Sequence, residues 1–128
     1  MEVEDNKYTL TMWQGSTFGL SLTVKDSTGS VKDLTGYSAR MHIRPTYDSG
    51  SIAESLTSSN GEIVITPAEG NLSFLLDATR TANITVDRAT GTKLPKSIYV
   101  YDVELEDSSN TVSKILWGTI NIYGEVTR

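Results

Sequence analysis

Ile98-Tyr99-Val100-Tyr101-Asp102-Val103-Glu104-Leu105-Glu106 is the stretch that decides how this chain folds. Tyr99, Tyr101, Val103 and Leu105 fall on one face of an extended segment. Asp102, Glu104 and Glu106 fall on the other, with Val100 as the exception. A repeat of two, apolar against charged, is the pattern of a strand with one face in a core and the other in water.

The same alternation extends outward along the chain. Residues 8–13 place Tyr8, Leu10 and Met12 against Thr9, Thr11 and Trp13, and Gln14-Gly15-Ser16 turns. Residues 17–25 put Phe18, Leu20, Leu22 and Val24 on one face. Asp26-Ser27-Thr28-Gly29 has the residues of a type I turn, and residues 31–34 return briefly. Residues 37–44 set Tyr37, Ala39, Met41 and Ile43 against Ser38, Arg40, His42 and Arg44, and Pro45 closes that strand because it has no N–H to donate. Residues 52–57 are more polar and read as an edge. Asn60-Gly61 is the strongest hairpin signal, since a type I′ turn needs positive φ at both central positions. Leu72, Phe74 and Leu76 then face a core, and Asp77 is placed to cap a short helical turn holding Ala78 and Ala82. A polar loop covers residues 85–96. After the 98–106 strand, residues 111–117 pair back, and Gly118 marks a bulge or bend in the last strand.

Short strands at this spacing predict an all-β fold: an antiparallel immunoglobulin-like β-sandwich of seven to nine strands, with one short helical turn near 77–84. A small closed barrel is the second architecture. In the immunoglobulin-like order the 37–44 and 98–106 strands are neighbours, which opposes Arg40, His42 and Arg44 to Asp102, Glu104 and Glu106. Leu22, Val24, Met41, Ile43, Phe74, Leu76, Tyr101, Val103 and Leu105 are the predicted core.

The 128 residues suit a single domain, 1–128, in which 1–7 form an N-terminal arm and 83–96 an inserted loop. Hydrophobic residues at 38% and charged residues at 21% are the proportions of a globular domain rather than a disordered one. A net charge of −5, with Lys and Arg scattered, gives no footprint for nucleic acid. Without cysteine the fold cannot rest on disulfides or thiolate metal sites. The polar, acidic start is unlike a signal peptide, and no apolar run reaches the roughly 20 residues of a membrane span.

The search for chemistry finds little. Asp102 and Glu104 have a spacing compatible with paired glycosidase carboxylates, yet any amphipathic strand with acidic outer residues makes such a pair. His42 is the single histidine and lacks companions for a zinc site. Asp26, Asp48 and Asp107 lack calcium-loop spacing and read as turn caps. The expectation is therefore no enzyme, no cofactor, no metal and no catalytic residue. Trp13 and Trp117, at strand ends, read either as core-edge residues, as protein contacts or as a sugar platform.

Three strings carry a resemblance: Gln14-Gly15-Ser16-Thr17-Phe18, the run Asp33-Leu34-Thr35-Gly36-Tyr37 continuing through Arg44, and Tyr99-Val100-Tyr101-Asp102-Val103-Glu104-Leu105. A closing Gly118 and Glu125-Val126-Thr127-Arg128 accompany them. Over roughly residues 14–128 the chain resembles small structural proteins of tailed bacteriophages and prophages, encoded among head–tail and tail genes. It is similar, more loosely, to immunoglobulin-like N-terminal domains of phage baseplate and fibre proteins. It departs from them between Thr81-Ala82 and Leu94-Pro95, where residues 83–93 read as an insertion. The resemblance implies a virion structural protein made in the host cytoplasm. It would bind other virion proteins and copies of itself in a symmetric ring or lattice of the neck, tail, baseplate or head, with no nucleic-acid or membrane partner. Trp13, Asp87, Arg88, Lys93, Trp117, Tyr123 and Arg128 are the expected contacts. The alternative is a carbohydrate- or receptor-binding sandwich on a tail fibre or capsid surface.

Overall fold

The computed structural model describes residues 6–127. Eight strands are formed among them: β1 (Leu10–Trp13), β2 (Phe18–Thr23), β3 (Ser38–Arg44), β4 (Glu54–Thr57), β5 (Ile63–Thr66), β6 (Asn71–Leu76), β7 (Lys96–Glu106) and β8 (Val112–Tyr123). A 3-10 turn at Pro67–Glu69 precedes β6, and a one-turn helix α1 (Ala78–Ala82) follows it. Two sheets result, a five-stranded one in the order β1-β8-β7-β3-β4 and a three-stranded one in the order β2-β6-β5. The second, sixth and fifth strands stand opposite a sheet centred on the third, seventh and eighth. That interleaving is the immunoglobulin Greek key.

The alternation read from the sequence becomes the inward face of each sheet. Ala39, Met41 and Ile43 of β3, and Tyr99, Tyr101, Val103 and Leu105 of β7, are buried. They meet Phe18, Ile63, Leu72, Phe74 and Leu76 of the opposite sheet in one hydrophobic cluster. Register opposes Arg40 to Glu104 and His42 to Asp102, as expected for neighbouring strands. The Asp77 carboxylate caps α1 by accepting from the Arg80 N–H at 2.8 Å.

The structure corrects several expectations. Asn60-Gly61 does not close a hairpin, because β4 and β5 lie in different sheets. Gly61 has φ of 90° but Asn60 is not in the positive-φ region. Side chains hold this crossing instead. The Thr57 N–H donates to Glu62 Oε1 at 3.0 Å and the Asn60 N–H to Thr57 Oγ1 at 3.1 Å. The sandwich is not wholly antiparallel either, since β1 runs parallel to β8. The chain leaves β1 for the other sheet through a turn at Gly15 (φ 77°), so no hairpin dictates the direction of β1.

Gly118 is not a bulge. It stays in the β7–β8 ladder opposite Tyr101, and the register shift lies at Val103/Glu104, where Ile115 is the extra residue. The bulge turns two consecutive side chains inward, and Ile115 and Leu116 are both buried. Leu22, expected in the core, is half-buried because β2 is an edge strand beside a lateral hollow shared with Tyr8 and Ile115. Residues 31–34 contribute a single bridge, Lys25 to Val31, although Leu34 is fully buried.

Candidate functional site

Period-two alternation leaves the odd residues of β1, and those of β8 beyond its bulge at Ile115, on the outer face of the larger sheet. Trp13 and Tyr123 are register partners there, and their rings stack with centroids 4.7 Å apart at 23°. Trp13 nevertheless keeps 47% of its surface exposed. Ile98, on β7, is exposed and pairs with Asn121, two residues before Tyr123 on β8. Large apolar side chains left in water on one sheet end are the informative kind of exposure, because the core had room for others of the same type.

The inserted segment meets the same end of the sheet. It is less polar than the sequence suggests, since Ile84 and Val86 are buried and anchor its first half. Tyr99 Oη donates to the Thr85 carbonyl, and the Gly124 N–H donates to the Pro95 carbonyl at 2.9 Å. Burial pushes the Tyr99 phenol above its ordinary pKa. The Arg88 guanidinium donates to the Glu125 carbonyl at 2.8 Å and to Gln14 Oε1, while Gln14 Nε2 donates to the Ile84 carbonyl. Gln14 is thus a buried latch between the end of β1 and the insertion. Its only sequence signal was a polar residue in a turn, which is why it escaped notice. Arg88, Lys93, Leu94, Glu125 and Val126 line a shallow cavity of about 540 Å³, and Leu94 and Val126 are exposed.

A second hollow, of about 300 Å³, lies further along the outer face between Tyr47 and Trp117, with His42, Arg44, Val100 and Asp102 among its lining. The Lys7 ammonium stands 5.3 Å from the centre of the Trp117 ring. The acidic row beside it is engaged in ion pairs. Arg40 reaches Glu104 at 2.9 Å and Glu106 at 3.0 Å, and Lys114 reaches Asp102 at 3.2 Å. The hydrogen bonds it donates to Glu104 and then to Glu106 hold the Arg40 guanidinium more firmly protonated than usual. Partly exposed pairs of this kind contribute about 0–1 kcal/mol each, so their consequence is mainly orientation. Among the described residues no group of three or more His, Asp or Glu is placed to hold a metal.

The structure therefore gathers the sequence candidates into separate places. Trp13 and Tyr123 form one pair. Arg88 and Lys93 sit with the C-terminal segment beside it. Trp117 shares the outer face but belongs to the second hollow. Asp87 serves its own loop, its carboxylate accepting from the Ala89 N–H at 3.0 Å and its N–H donating to Ser97 Oγ at 3.0 Å. Arg128, and residues 1–5 of the expected arm, lie outside the described residues. Tyr47 and Ile98 were not singled out by sequence; both are apolar bodies at positions where the chain merely looked like loop or strand start.

No protein-family model matches the chain, and no curated protein matches it. Among solved structures it is similar to extracellular domains 3–5 of Drosophila OTK, at 11% identity and a TM-score of 0.33. That alignment covers 89% of this chain and 32% of the other, so the chain spans about a third of its length. A likeness at that score carries no argument, and the immunoglobulin-like assignment rests on the strand order itself.

Proposed function

We propose that this chain is a structural protein of a tailed-phage virion, a non-catalytic module that binds other virion proteins. The observation that carries the reading is the exposed Trp13 stacked on the half-buried Tyr123, continued by the exposed Ile98 and flanked by the insertion. Aromatic groups held rigid by each other lose little entropy on docking and are enriched at binding hot spots. The three strings that resemble phage proteins supply the setting. Asp102 and Glu104, the carboxylate pair whose spacing the sequence brought forward, are ion-paired with Lys114 and Arg40, which suits a scaffold rather than acid–base chemistry. Specific docking requires an interface of about 1,000 Å² or more in total, so the proposed surface includes the insertion as well as the sheet end.

Mass spectrometry of virions purified from the producing bacterium tests this. The chain is expected in the particles at a stoichiometry matching a ring or lattice. Its absence from intact particles would overturn the reading. The Tyr47–Trp117 hollow favours a second one, a carbohydrate- or receptor-binding module, whose signature is saturable binding of host surface glycan lost in Trp117→Ala.

A further inference from the structure

We propose that the free edge of β1 is a self-association site, at which a second copy of this chain adds its own β1 in antiparallel register centred on Thr11. The Tyr8 N–H bonds the Trp117 carbonyl at 2.8 Å and the Gln14 N–H the Tyr123 carbonyl at 2.9 Å. Even-numbered residues of this stretch thus point their backbone groups at β8. Odd-numbered ones, Thr9, Thr11 and Trp13, point away from it. β1 is the last strand of its sheet, so those groups meet no strand of the described chain. An open row of this kind is a template for strand addition.

The opposite edge of the same sheet is closed by side chains. On β4, Arg80 donates to the Ser55 carbonyl at 2.9 Å, Glu62 accepts from the Thr57 N–H at 3.0 Å, and Glu54 accepts from the Ser55 N–H at 2.9 Å. Charged side chains folded over an edge block pairing. Among the described residues, side chains cover one edge of the sheet and leave the other open.

Charge points to a second copy as the occupant. Between Lys7 and Lys25 the sequence holds no Asp, Glu, Lys, Arg or His, while the whole chain carries −5. Two identical acidic molecules repel over most approaches, and strands β1 and β2 bring no charged side chain of their own to a seam between two copies. Pairing about Thr11 sets Thr11 against Thr11 and Thr9 against Trp13. All three residues have outward-facing backbone groups, so the register is competent for hydrogen bonding from both sides. The edge of β2 is also uncharged, so the second sheet raises no electrostatic objection to the same approach. The stacked Trp13 and Tyr123 of each copy then flank the new seam.

This inference does not depend on the virion reading, because it is measured on the purified chain alone. Sedimentation velocity of the full chain should show a concentration-dependent species of twice 14.0 kDa. Thr11→Lys, which opposes two ammonium groups at the seam, should weaken association at least about tenfold. Thr11→Cys, which places the sole thiol in a cysteine-free chain, should form a disulfide-linked dimer under mild oxidation. Ser73→Lys and Ser73→Cys, on the exposed face of β6, should behave as the unmodified chain does, without accelerated linking. The cysteine substitutions keep the test decisive if Thr11→Lys fails to fold. A chain that stays monomeric at about 1 mM, or Thr11→Cys and Ser73→Cys chains that link at equal rates, would overturn the proposal.

Discussion

The phenol of Tyr101 donates a 2.9 Å hydrogen bond to the carbonyl of Tyr8, whose backbone packs directly on Gly118. Tyr101 and Gly118 are register partners on β7 and β8. A Cβ added at Gly118 would stand 2.2 Å from that same Tyr8 oxygen, and Gly118 has φ of 151°. The missing side chain is what lets the chain enter β1 close against β8, and the buried tyrosine then holds it there. Gly118→Ala should therefore cost about 1–3 kcal/mol through overpacking, with the loss of protection concentrated in β1. Tyr101→Phe, which leaves the Tyr8 carbonyl short of one donor, should cost about 1 kcal/mol. Urea unfolding together with amide exchange of residues 8–13 checks both.

Alkaline pH should act on the same contact. Burial raises the Tyr101 phenol well above its ordinary pKa, with smaller contributions from Tyr47 and Tyr8. Because the unfolded chain ionises this group first, the stability it supplies is complete below about pH 10 and is lost as the pH rises beyond it. Tyr101→Phe should flatten the stability curve above about pH 10, as read by denaturant midpoints across that range.

Phe74 sits 1% exposed at the centre of the smaller sheet, between Leu20 and Ile63 in register. Phe74→Ala should cost about 3–5 kcal/mol. A loss below about 1 kcal/mol in equilibrium unfolding would mean that the two sheets are not packed on this residue.

Acid should loosen the crossing between the sheets. The Glu62 carboxyl lies below its ordinary pKa, chiefly because the Thr57 N–H bonds it, with Arg80 adding a smaller pull. Its contribution is present above the unfolded value of about 4.3 and is lost as pH falls through the lower folded value. Glu62→Gln should be less stable at neutral pH by about 1 kcal/mol and should lose less on acidification. Thermal midpoints at neutral pH and below about pH 4 measure the difference.

Faces were legible in the sequence and sheets were not. Period two placed Met41, Val103 and Phe74 inward, because side-chain direction follows from strand geometry alone. That the basic row of β3 faces the acidic row of β7 followed from the immunoglobulin-like order. Of its three basic residues, Arg40 and His42 oppose Glu104 and Asp102, while Arg44 opposes Val100. Which sheet a strand joins depends on contacts distant in sequence. Asn60-Gly61 looked like a hairpin because nothing local reveals that β5 departs for the other sheet. Gly118 looked like a bulge because its true partner, the Tyr8 backbone, is far away in the chain. In the candidate surface Trp13 and Tyr123 were individually visible, but their stacking needed the parallel β1–β8 pair, which no turn signal announces. The insertion was visible as length and polarity. Its anchoring through Val86, Arg88 and Gln14 was not, so removing residues 85–93 would open the core, and only the tip around residues 90–93 is free to change.

Incorporation into particles tests docking through the Trp13–Tyr123 surface most directly. In a phage lacking its own copy of the gene, the chain bearing Trp13→Ser and Tyr123→Ser should fold, as shown by an unchanged β-type circular dichroism spectrum. Its copy number per purified virion should fall at least about tenfold, the effect of losing a hot spot. A folded double variant found in virions at the normal copy number would contradict the assignment of this surface as the docking site.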